Sequence, residues 1–333
     1  MDRPQHIIIN RTDSIGDVVL TMPLAGYLKS KFPAVKISFL GKAYTQAIIE
    51  LSCHVDHFLN WDEIKEFTED EQVGFFRLQE ADWIIHVFPD KVIADLANKA
   101  GIPNRVGTNH RLFLWRSCNH KVNFTRKRSQ LHEAQLNFKL LEPLTGKYIP
   151  NKDDIAQWYG FTNPLKRNWI KHLMDDHRYN LILHPKSQGS AREWGLDNFS
   201  RLIEILPQDR YKIFVTATKA EAAEMKDFLE KHKGRIDDVT AQFTLEEFIS
   251  LISYSDGLVA ASTGPLHIAA ALGKKAVGLY APMRPIHPGR WEPLGKNART
   301  LVVNKKCNKC KNTGDCQCIR DIKPGQVVAG IEN

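Results

Sequence analysis

Short apolar runs alternate along this chain with amphipathic stretches of helical length, and the whole cycle occurs twice. Such alternation is typical of repeated strand, helix, strand units, which build mainly parallel sheets covered by helices. Between the two cycles, residues 150–164 are polar and interrupted by prolines, which favours a domain boundary there. We therefore predict an α/β protein of two doubly wound domains, residues 1–160 and 161–333, facing each other across a cleft.

The apolar runs predict four strands in each half, and the stretches between them predict the helices. In the first half the strands are 6–10, 36–40, 83–88 and 105–107, and the helices are 18–31, 44–51, 91–100 and 131–144. In the second half the strands are 179–184, 211–216, 257–261 and 275–280, and the helices are 197–206, 220–232 and 245–254.

Length and charge narrow the class of protein. A chain of 333 residues with 43% apolar content can build two sizeable cores. No stretch approaches the roughly 20 consecutive apolar residues of a membrane helix, and the start does not resemble a signal peptide, so we expect a cytoplasmic protein. Lysine and arginine exceed aspartate and glutamate by 46 to 38, which favours anionic partners. No basic helix with interleaved aromatic residues is evident, so nucleic acid is not expected as a partner.

The loop after the first predicted strand carries polar and acidic residues. Ligands of doubly wound folds bind at the carboxyl ends of the strands, so loops at that position are the most informative. Residues 11–17 read Arg-Thr-Asp-Ser-Ile-Gly-Asp and lead into a helix that contains Pro23. Ser14 and Asp17 are residue types that cap a helix, so a purely structural role is one interpretation and a chemical role is the other.

A second loop follows the predicted strand 179–184. Residues 184–194 are small and polar, contain Gly189, and precede a helix, so their backbone N–H groups can wrap a phosphate. Arg192 adds a cation whose planar fork can hold phosphate oxygens in a bidentate manner. Taken alone, an arginine at this position is more often a solvated surface charge.

A third loop joins the predicted strand 257–261 to an alanine-rich helix. Its segment Ser262-Thr263-Gly264 precedes the first helical turn, which places an anion site at a helix N-terminus. His267 lies on that first turn and either hydrogen-bonds a phosphate or fills the core. Glu221 follows the strand 211–216, where it contacts a nucleoside or simply begins a surface helix.

These three motifs, in this order and over nearly the whole chain, resemble glycosyltransferase family 9, the heptosyltransferases that build the inner core of lipopolysaccharide. The resemblance implies a GT-B fold of two Rossmann-like domains, the first binding the acceptor and the second the nucleotide sugar. It implies that Asp17 is the general base and that the pair His132-Glu133 is structural. The remaining implied roles are diphosphate contacts for Ser187, Gln188 and Arg192, a ribose contact for Glu221, donor contacts for Ser262, Thr263, Gly264 and His267, and acceptor-side positions for Arg11 and Ser14.

The resemblance also implies the reaction. A lipid-borne sugar hydroxyl attacks the anomeric carbon of a nucleotide-activated heptose such as ADP-heptose, and the configuration inverts. No Asp-x-Asp motif occurs in the sequence, so we expect catalysis without a metal or other cofactor, with Arg192 and the helix dipole stabilising the leaving diphosphate. Some relatives have aspartate where Ser262 stands, which leaves the transferred sugar open. The rival functions are a sugar-nucleotide epimerase and a nucleotide-binding protein without transfer activity.

Two further features concern partners. Cys307, Cys310, Cys316 and Cys318 place four thiols in one short segment, which predicts a structural metal or redox site. An acceptor in the membrane would draw the enzyme to the inner face of the cytoplasmic membrane. The basic stretches 125–128 and 110–111 could then bind that surface, or could simply be solvated.

Overall fold

The computed structural model describes residues 3–126, 129–162, 164, 167–283, 286–304 and 316–333. The chain divides into two compact units, Met1–Asn163 and Pro164–Asn333. Within the described residues, none of the helices combines the length and the apolar character needed to cross a bilayer.

The first unit contains a six-stranded sheet and short to medium helices. Its strands are β1 (His6–Asn10), β2 (Lys36–Gly41), β3 (His57–Asn60), β4 (Trp83–His86), β5 (Asn104–Thr108) and β6 (His120–Val122). Its helices are α1 (Ile15–Val19), α2 (Pro23–Lys31), α3 (Gln46–Ile49), α4 (Trp61–Ile64), α5 (Glu69–Leu78), α6 (Lys91–Lys99), α7 (Leu114–Ser117), α8 (Glu133–Lys139), α9 (Glu142–Thr145) and α10 (Lys152–Ile155), with 3₁₀ turns at Ala43–Thr45 and Ala156–Trp158.

The second unit repeats this plan. Its strands are β7 (Tyr179–His184), β8 (Tyr211–Val215), β9 (Asp237–Asp238), β10 (Gly257–Ala261), β11 (Lys275–Tyr280) and β12 (Ala298–Val302). Its helices are α11 (Asn168–Lys171), α12 (Leu196–Ile205), α13 (Lys219–Glu224), α14 (Lys226–Lys231), α15 (Leu245–Tyr254), α16 (Gly264–Ala271), α17 (Pro288–Trp291), α18 (Gln317–Arg320) and α19 (Pro324–Glu332).

Both sheets have the same strand order. The orders are β3-β2-β1-β4-β5-β6 and β12-β11-β10-β7-β8-β9, and every pairing between these strands is parallel. Counted from the first strand of each unit, both correspond to the Rossmann order 3-2-1-4-5-6. The order in which successive strands are added to the sheet reverses between β1 and β4 in one unit and between β7 and β10 in the other. Ligands of such folds bind at these switch points, beyond the carboxyl ends of the strands.

The central strands form because their sequences are apolar on both faces. Strand β1 reads His-Ile-Ile-Ile-Asn and strand β10 reads Gly-Leu-Val-Ala-Ala, and all ten residues are buried. Parallel strands covered by helices on both faces show continuous apolar runs of this kind rather than alternation. The central strands therefore fix the position of the loops that follow them.

Three predicted helices are each divided in two. The predicted helix 18–31 stops at Val19, and α2 begins with Pro23 at its first position, because proline cannot donate the N–H that an interior position requires. The predicted helix 220–232 is interrupted at Met225, whose backbone leaves the helical region (φ −105°, ψ 7°). The predicted helix 131–144 becomes α8 and α9, with Pro143 in the first turn of α9.

Two helical glycines provide a test of this packing. A Cβ on Gly26 of α2 would lie 2.3 Å from the carbonyl oxygen of Trp158, whereas a Cβ on Gly74 of α5 would meet nothing within 4 Å. We expect Gly26→Ala to lower the free energy of unfolding by about 1–3 kcal/mol through overpacking. The matched change Gly74→Ala should raise it by about 0.5–1 kcal/mol, because alanine favours the helix. Urea denaturation measures both, and equal shifts would contradict the packing of α2.

Candidate active site

The loop after β1 holds Asp17 between two hydrogen-bond donors. The guanidinium of Arg11 is 3% exposed; its Nε donates to Asp13 Oδ1 at 2.6 Å and its Nη2 donates to Asp17 Oδ1. The hydroxyl of Ser14 donates to the other carboxylate oxygen of Asp17 at 2.5 Å. Ser14 occupies the N-cap position of α1, but its hydroxyl makes no capping hydrogen bond to the helix backbone and contacts the Asp17 side chain instead. The Asp17 carboxylate is therefore held in one orientation.

A buried glutamate on α8 forms an ion pair with Arg11. Glu133 is 1% exposed, and its Oε1 lies 3.6 Å from Arg11 Nη1. The same oxygen accepts a hydrogen bond of 2.7 Å from Arg126 Nε. A buried carboxylate is stable only when it is paired. The structural role of the pair His132-Glu133 stays a prediction, and the position of Glu133 between two arginines was not predicted.

The contacts continue through Asn137 and return to Asp17. Asn137 Oδ1 accepts from Arg126 Nη2 at 3.0 Å, and its Nδ2 donates to Thr21 Oγ1 at 3.1 Å. Thr21 in turn donates its hydroxyl to the main-chain oxygen of Asp17 at 2.8 Å. A closed ring of polar contacts, which we call the Arg11 ring, thus links α1, its loop and α8. Both the carboxylate and the backbone of Asp17 are tied to it.

The charges of this cluster are nearly balanced. Two guanidiniums, Arg11 and Arg126, face three carboxylates, Asp13, Asp17 and Glu133, so the net charge is −1 when all are ionised. Burial raises the pKa of Asp13 to about 6, although the neighbouring Arg11 opposes the shift. Burial alone would lower the pKa of Arg11, but the carboxylates outweigh it and the pKa is raised. Arg11 therefore stays charged, and Asp13 is the group that titrates near neutral pH.

The other strand at this switch point ends in a buried histidine. Burial, with a smaller effect of Arg105, lowers the pKa of His86 to about 3, so the ring is neutral. Asn10 donates from Nδ2 towards His86 Nδ1 at 3.2 Å and to the Phe88 oxygen at 3.3 Å. These two residues fix the loop after β4 to the end of β1. A neutral, buried imidazole of this kind suits a structural role rather than proton transfer.

In the second unit, Glu193 organises the loop after β7. Its Oε1 accepts from the backbone N–H of Ser187 at 3.1 Å, and its Oε2 accepts from Lys186 Nζ at 3.0 Å. Ser187 is 5% exposed, and its hydroxyl donates to the carbonyl oxygen of Ala191 at 3.0 Å. The side chain of Ser187 therefore stabilises the loop from inside. Arg192 lies on the same loop and is half-buried.

The tip of this loop is held in an unfavourable backbone conformation. Gln188 has φ 47° and Gly189 has φ 77°, and a positive φ at a residue other than glycine is strained. The Gln188 N–H donates to Glu221 Oε1 at 3.0 Å, and its side chain donates to Thr218 Oγ1 at 3.0 Å. Glu221 also closes the capping box of α13 with Thr218. The predicted donor residues Gln188 and Glu221 thus contact each other directly.

The third loop leads from β10 into the N-terminus of α16. Thr263 is the N-cap residue, but its hydroxyl lies 3.3 Å from the Ala261 oxygen and makes no capping hydrogen bond. Gly264 is the first helical residue, and His267 is buried on the first turn. The side chain of Ser262 lies beside the Tyr280 hydroxyl at the end of β11, and that hydroxyl donates to the Trp291 oxygen at 2.5 Å. The positive end of the α16 dipole therefore lies at the carboxyl end of β10.

The sheet brings the donor loops of the second unit together. Strands β10, β7 and β8 are neighbours in the sheet, so the loops that follow them are spaced by about 4.8 Å per strand. The loops with Thr263 and Ser187 flank the switch point, and the loop with Glu221 lies one strand further. Backbone N–H groups, a helix N-terminus and the cation of Arg192 at one edge suit an anionic ligand.

The metal or redox site expected at the four clustered cysteines stays a prediction. Cys316 and Cys318 lie in the hydrophobic core of the second unit, while Cys307 and Cys310 lie outside the described residues. Among the described residues, no group of three or more potential ligands is placed to hold a metal ion.

The basic stretch 125–128 is described only in part. The guanidinium of Arg126 binds Glu133 and Asn137, so this charge has partners within the chain. The next two residues of the stretch, Lys127 and Arg128, lie outside the described part of the chain.

The Arg11 ring predicts that a substitution of Glu133 that preserves its size strongly lowers the free energy of unfolding. Glu133→Gln preserves the size of the side chain but leaves two guanidiniums without their shared carboxylate, so the free energy of unfolding should fall by about 2–4 kcal/mol. Glu142→Gln on α9 is the control, because Glu142 pairs at 3.6 Å with Lys147, whose side chain is 86% exposed. That change should stay within about 0.5 kcal/mol in urea denaturation. Equal losses in the two variants would contradict the ring.

Asp13 predicts how stability depends on pH. Its pKa is about 6 in the folded chain and 3.8 for an unperturbed aspartate side chain, so the folded state binds more protons between these values. The contribution of Asp13 to stability is therefore fully present below pH 3.8 and is lost as the pH rises through about 6. Relative to Asp13→Asn, the native protein should lose about 1–3 kcal/mol between pH 4 and pH 7. Urea midpoints at several pH values measure this, and parallel curves for the two proteins would contradict it.

Comparison with known proteins shows which family this chain belongs to. Residues 77–318 match the model of glycosyltransferase family 9, described as heptosyltransferase. A candidate glycosyltransferase of Haemophilus influenzae is 25% identical over 301 residues, covering 87% of this chain and 86% of that protein. Lipooligosaccharide heptosyltransferase 2 of Campylobacter jejuni is 23% identical over 182 residues, covering 52% of this chain and 54% of that protein.

Solved structures share the fold. The Escherichia coli ADP-heptose lipopolysaccharide heptosyltransferase II superimposes with a TM-score of 0.77 at 18% identity, covering 98% of this chain and 97% of that chain. A glycosyltransferase family 9 protein of Veillonella parvula gives a TM-score of 0.77 at 18% identity, covering 98% and 96%. The predicted α/β fold of the GT-B type and the predicted family are both confirmed. The chain belongs to glycosyltransferase family 9, the heptosyltransferase family, and is a glycosyltransferase.

Proposed function

We propose that this protein transfers a heptose from a nucleotide diphosphate donor such as ADP-heptose to a sugar hydroxyl of the lipopolysaccharide inner core. The observation that carries the proposal is the contrast between the two switch points. The first presents a fixed carboxylate, Asp17, and the second presents a helix N-terminus and Arg192. A relative is named as a lipooligosaccharide heptosyltransferase, and a structure with the same fold is named for ADP-heptose, which supports this donor and acceptor.

The first half of the proposed chemistry is proton removal. The acceptor hydroxyl becomes acidic as its oxygen bonds to C1 of the heptose, so a well-placed carboxylate can take the proton at that stage. Asp17 is the proposed base, and Arg11 and Ser14 position it. Because Arg11 is buried, we assign it to this positioning role on the acceptor side rather than to direct contact with the acceptor.

The second half is departure of the diphosphate. The bond between C1 and the phosphate oxygen breaks, and both electrons leave with the nucleoside diphosphate on the face opposite the attacking oxygen, so the configuration at C1 inverts. We propose that the N-terminus of α16, which begins at Gly264, and the side chain of Arg192 stabilise the developing negative charge without a metal. We propose that Ser262, Thr263 and His267 complete this side of the donor site.

The remaining donor residues act mainly on the loop. Glu221 uses both carboxylate oxygens within the chain, and one of them fixes the strained backbone of Gln188. We therefore propose that Gln188 and Ser187 shape the loop around the diphosphate and that Glu221 borders the nucleoside. We also propose a location at the cytoplasmic face of the membrane, where a nucleotide sugar and a lipid-borne acceptor meet, and a structural metal at the four cysteines.

The decisive measurement is release of ADP from ADP-heptose with a truncated lipopolysaccharide acceptor. We expect release to require the acceptor and to continue in the presence of EDTA. Asp17→Asn should lower kcat at least about 100-fold, since a general base contributes about 10²–10⁴ to the rate. Asp13→Asn is the matched control, because it removes the neighbouring carboxylate on the same arginine, and it should stay within about tenfold of the native rate.

Other outcomes identify the rivals. Conversion of the donor without an acceptor would indicate an epimerase, and donor binding without turnover would indicate a binding protein. A larger loss in Asp13→Asn than in Asp17→Asn would move the base to Asp13. Inhibition by EDTA would overturn the metal-independent reaction. A panel of nucleotide sugars tests whether Ser262 changes the preferred sugar.

A further inference from the structure

The segment after β5 carries two outward apolar side chains on an anchored loop. Leu112 is 87% exposed, more than any other large apolar residue that the structure describes, and Trp115 is 56% exposed. Between them, Leu114 is fully buried and packs with Ala94 of α6. The Trp115 indole donates to the Asn109 oxygen at 2.8 Å. The backbone is therefore fixed while the apolar side chains face water.

Cations surround these two residues. Arg111, Arg116 and Lys121 are exposed, and Lys121 Nζ lies 5.5 Å from the centre of the Trp115 ring. The sequence contains no aspartate or glutamate between Asp95 and Glu133. This part of the surface is therefore complementary to an anionic partner.

The loop after β5 and Asp17 both lie at the carboxyl ends of the strands of the first sheet. Both segments begin at the carboxyl ends of parallel strands, and β5 is separated from β1 only by β4. The two strands are thus about 10 Å apart across the sheet. A partner bound to this loop would be close to the acceptor side of the first unit.

We propose that Leu112 and Trp115, with Arg111, Arg116 and Lys121, form a docking surface for an anionic phospholipid bilayer. Leucine and tryptophan enter the interfacial region, and the three cations bind lipid phosphates. Two apolar side chains cannot supply the roughly 1,200 Å² that a stable protein interface buries, which favours a bilayer over a protein partner. The proposal deepens the proposed function, since a lipid-borne acceptor lies in such a surface, and names the residues that bring the enzyme there.

Cosedimentation with vesicles tests the docking surface independently of catalysis. The native protein should bind vesicles of phosphatidylethanolamine and phosphatidylglycerol at a ratio of about 7:3 and should dissociate from them at high salt. It should not bind vesicles of pure phosphatidylcholine. Leu112→Ser combined with Trp115→Ser should lower the partition coefficient at least about tenfold, and Arg111→Gln with Arg116→Gln should lower it by a similar factor. The control is Leu78→Ser. Leu78 is 81% exposed at the end of α5, just before β4, and therefore lies towards the amino ends of the strands, away from the loop after β5. This control should bind as the native protein does.

Activity measurements separate this proposal from the proposed function. The Leu112 and Trp115 variant should transfer normally to a water-soluble truncated acceptor and lose at least about tenfold in rate with an acceptor embedded in vesicles. Vesicle binding unchanged in that variant, with circular dichroism showing a folded protein, would overturn the proposal. Loss only in the arginine variant would reduce the surface to a phosphate-binding patch and would also overturn it. If no transferase activity is found, the vesicle result alone still decides the docking surface.

Discussion

The burial of one arginine among three carboxylates organises the first unit. Arg11 follows β1 directly, and its guanidinium reaches Asp13, Asp17 and Glu133. A guanidinium in this position would be prohibitively costly without such partners, so the fold of α8 and the loop after β1 must form together. The arrangement replaces ordinary apolar packing beneath Asp17 with directed hydrogen bonds. Directed bonds fix an orientation, which is what a carboxylate needs when its placement matters more than its basicity.

The two units use one topology for opposite electrostatic purposes. In the first, the switch point is filled with charged side chains around Arg11 and with the neutral pair Asn10 and His86. In the second, it is lined by the backbone of residues 187–190 and the N-terminus of α16. The first arrangement offers a negative group to a proton, and the second offers partial positive charge to a phosphate. Identical strand orders therefore do not imply similar sites, because the chemistry depends on the loops.

The sequence predicted the central strands well and the outer strands poorly. The bounds of β1, β7, β10 and β11 agree with the apolar runs, because these strands are buried on both faces. The missed strands β3, β6, β9 and β12 lie in the outer positions of the two sheets, where the demand for apolar residues is weaker. Strand β9 consists of two exposed aspartates and has no sequence signal at all.

The site was predictable only in part, because some of its contacts join residues that are far apart in the sequence. The motifs around Asp17, Ser187 and Thr263 are local and follow strands, so a sequence pattern can indicate them. The direct partners of Asp17, such as Arg11 and Ser14, are close to it in sequence. The rest of the Arg11 ring is not local, because Asn137 hydrogen-bonds Thr21 across 116 positions and neither segment has a sequence pattern that indicates the other. The buried hydroxyl of Ser187 illustrates a second limit, since a polar residue in a loop can face the loop itself.

The C-terminal segment of the chain stabilises the region that follows β7. The indole of Trp194 donates to the Ile322 oxygen at 2.9 Å, and Asn198 donates to the Arg320 oxygen at 3.0 Å. Ile319 and Ile322 belong to the same hydrophobic core as Trp194. A chain that ended before Cys316 would therefore lack these core side chains and both hydrogen-bond acceptors, so the last segment is part of the folded second unit and not a dispensable tail.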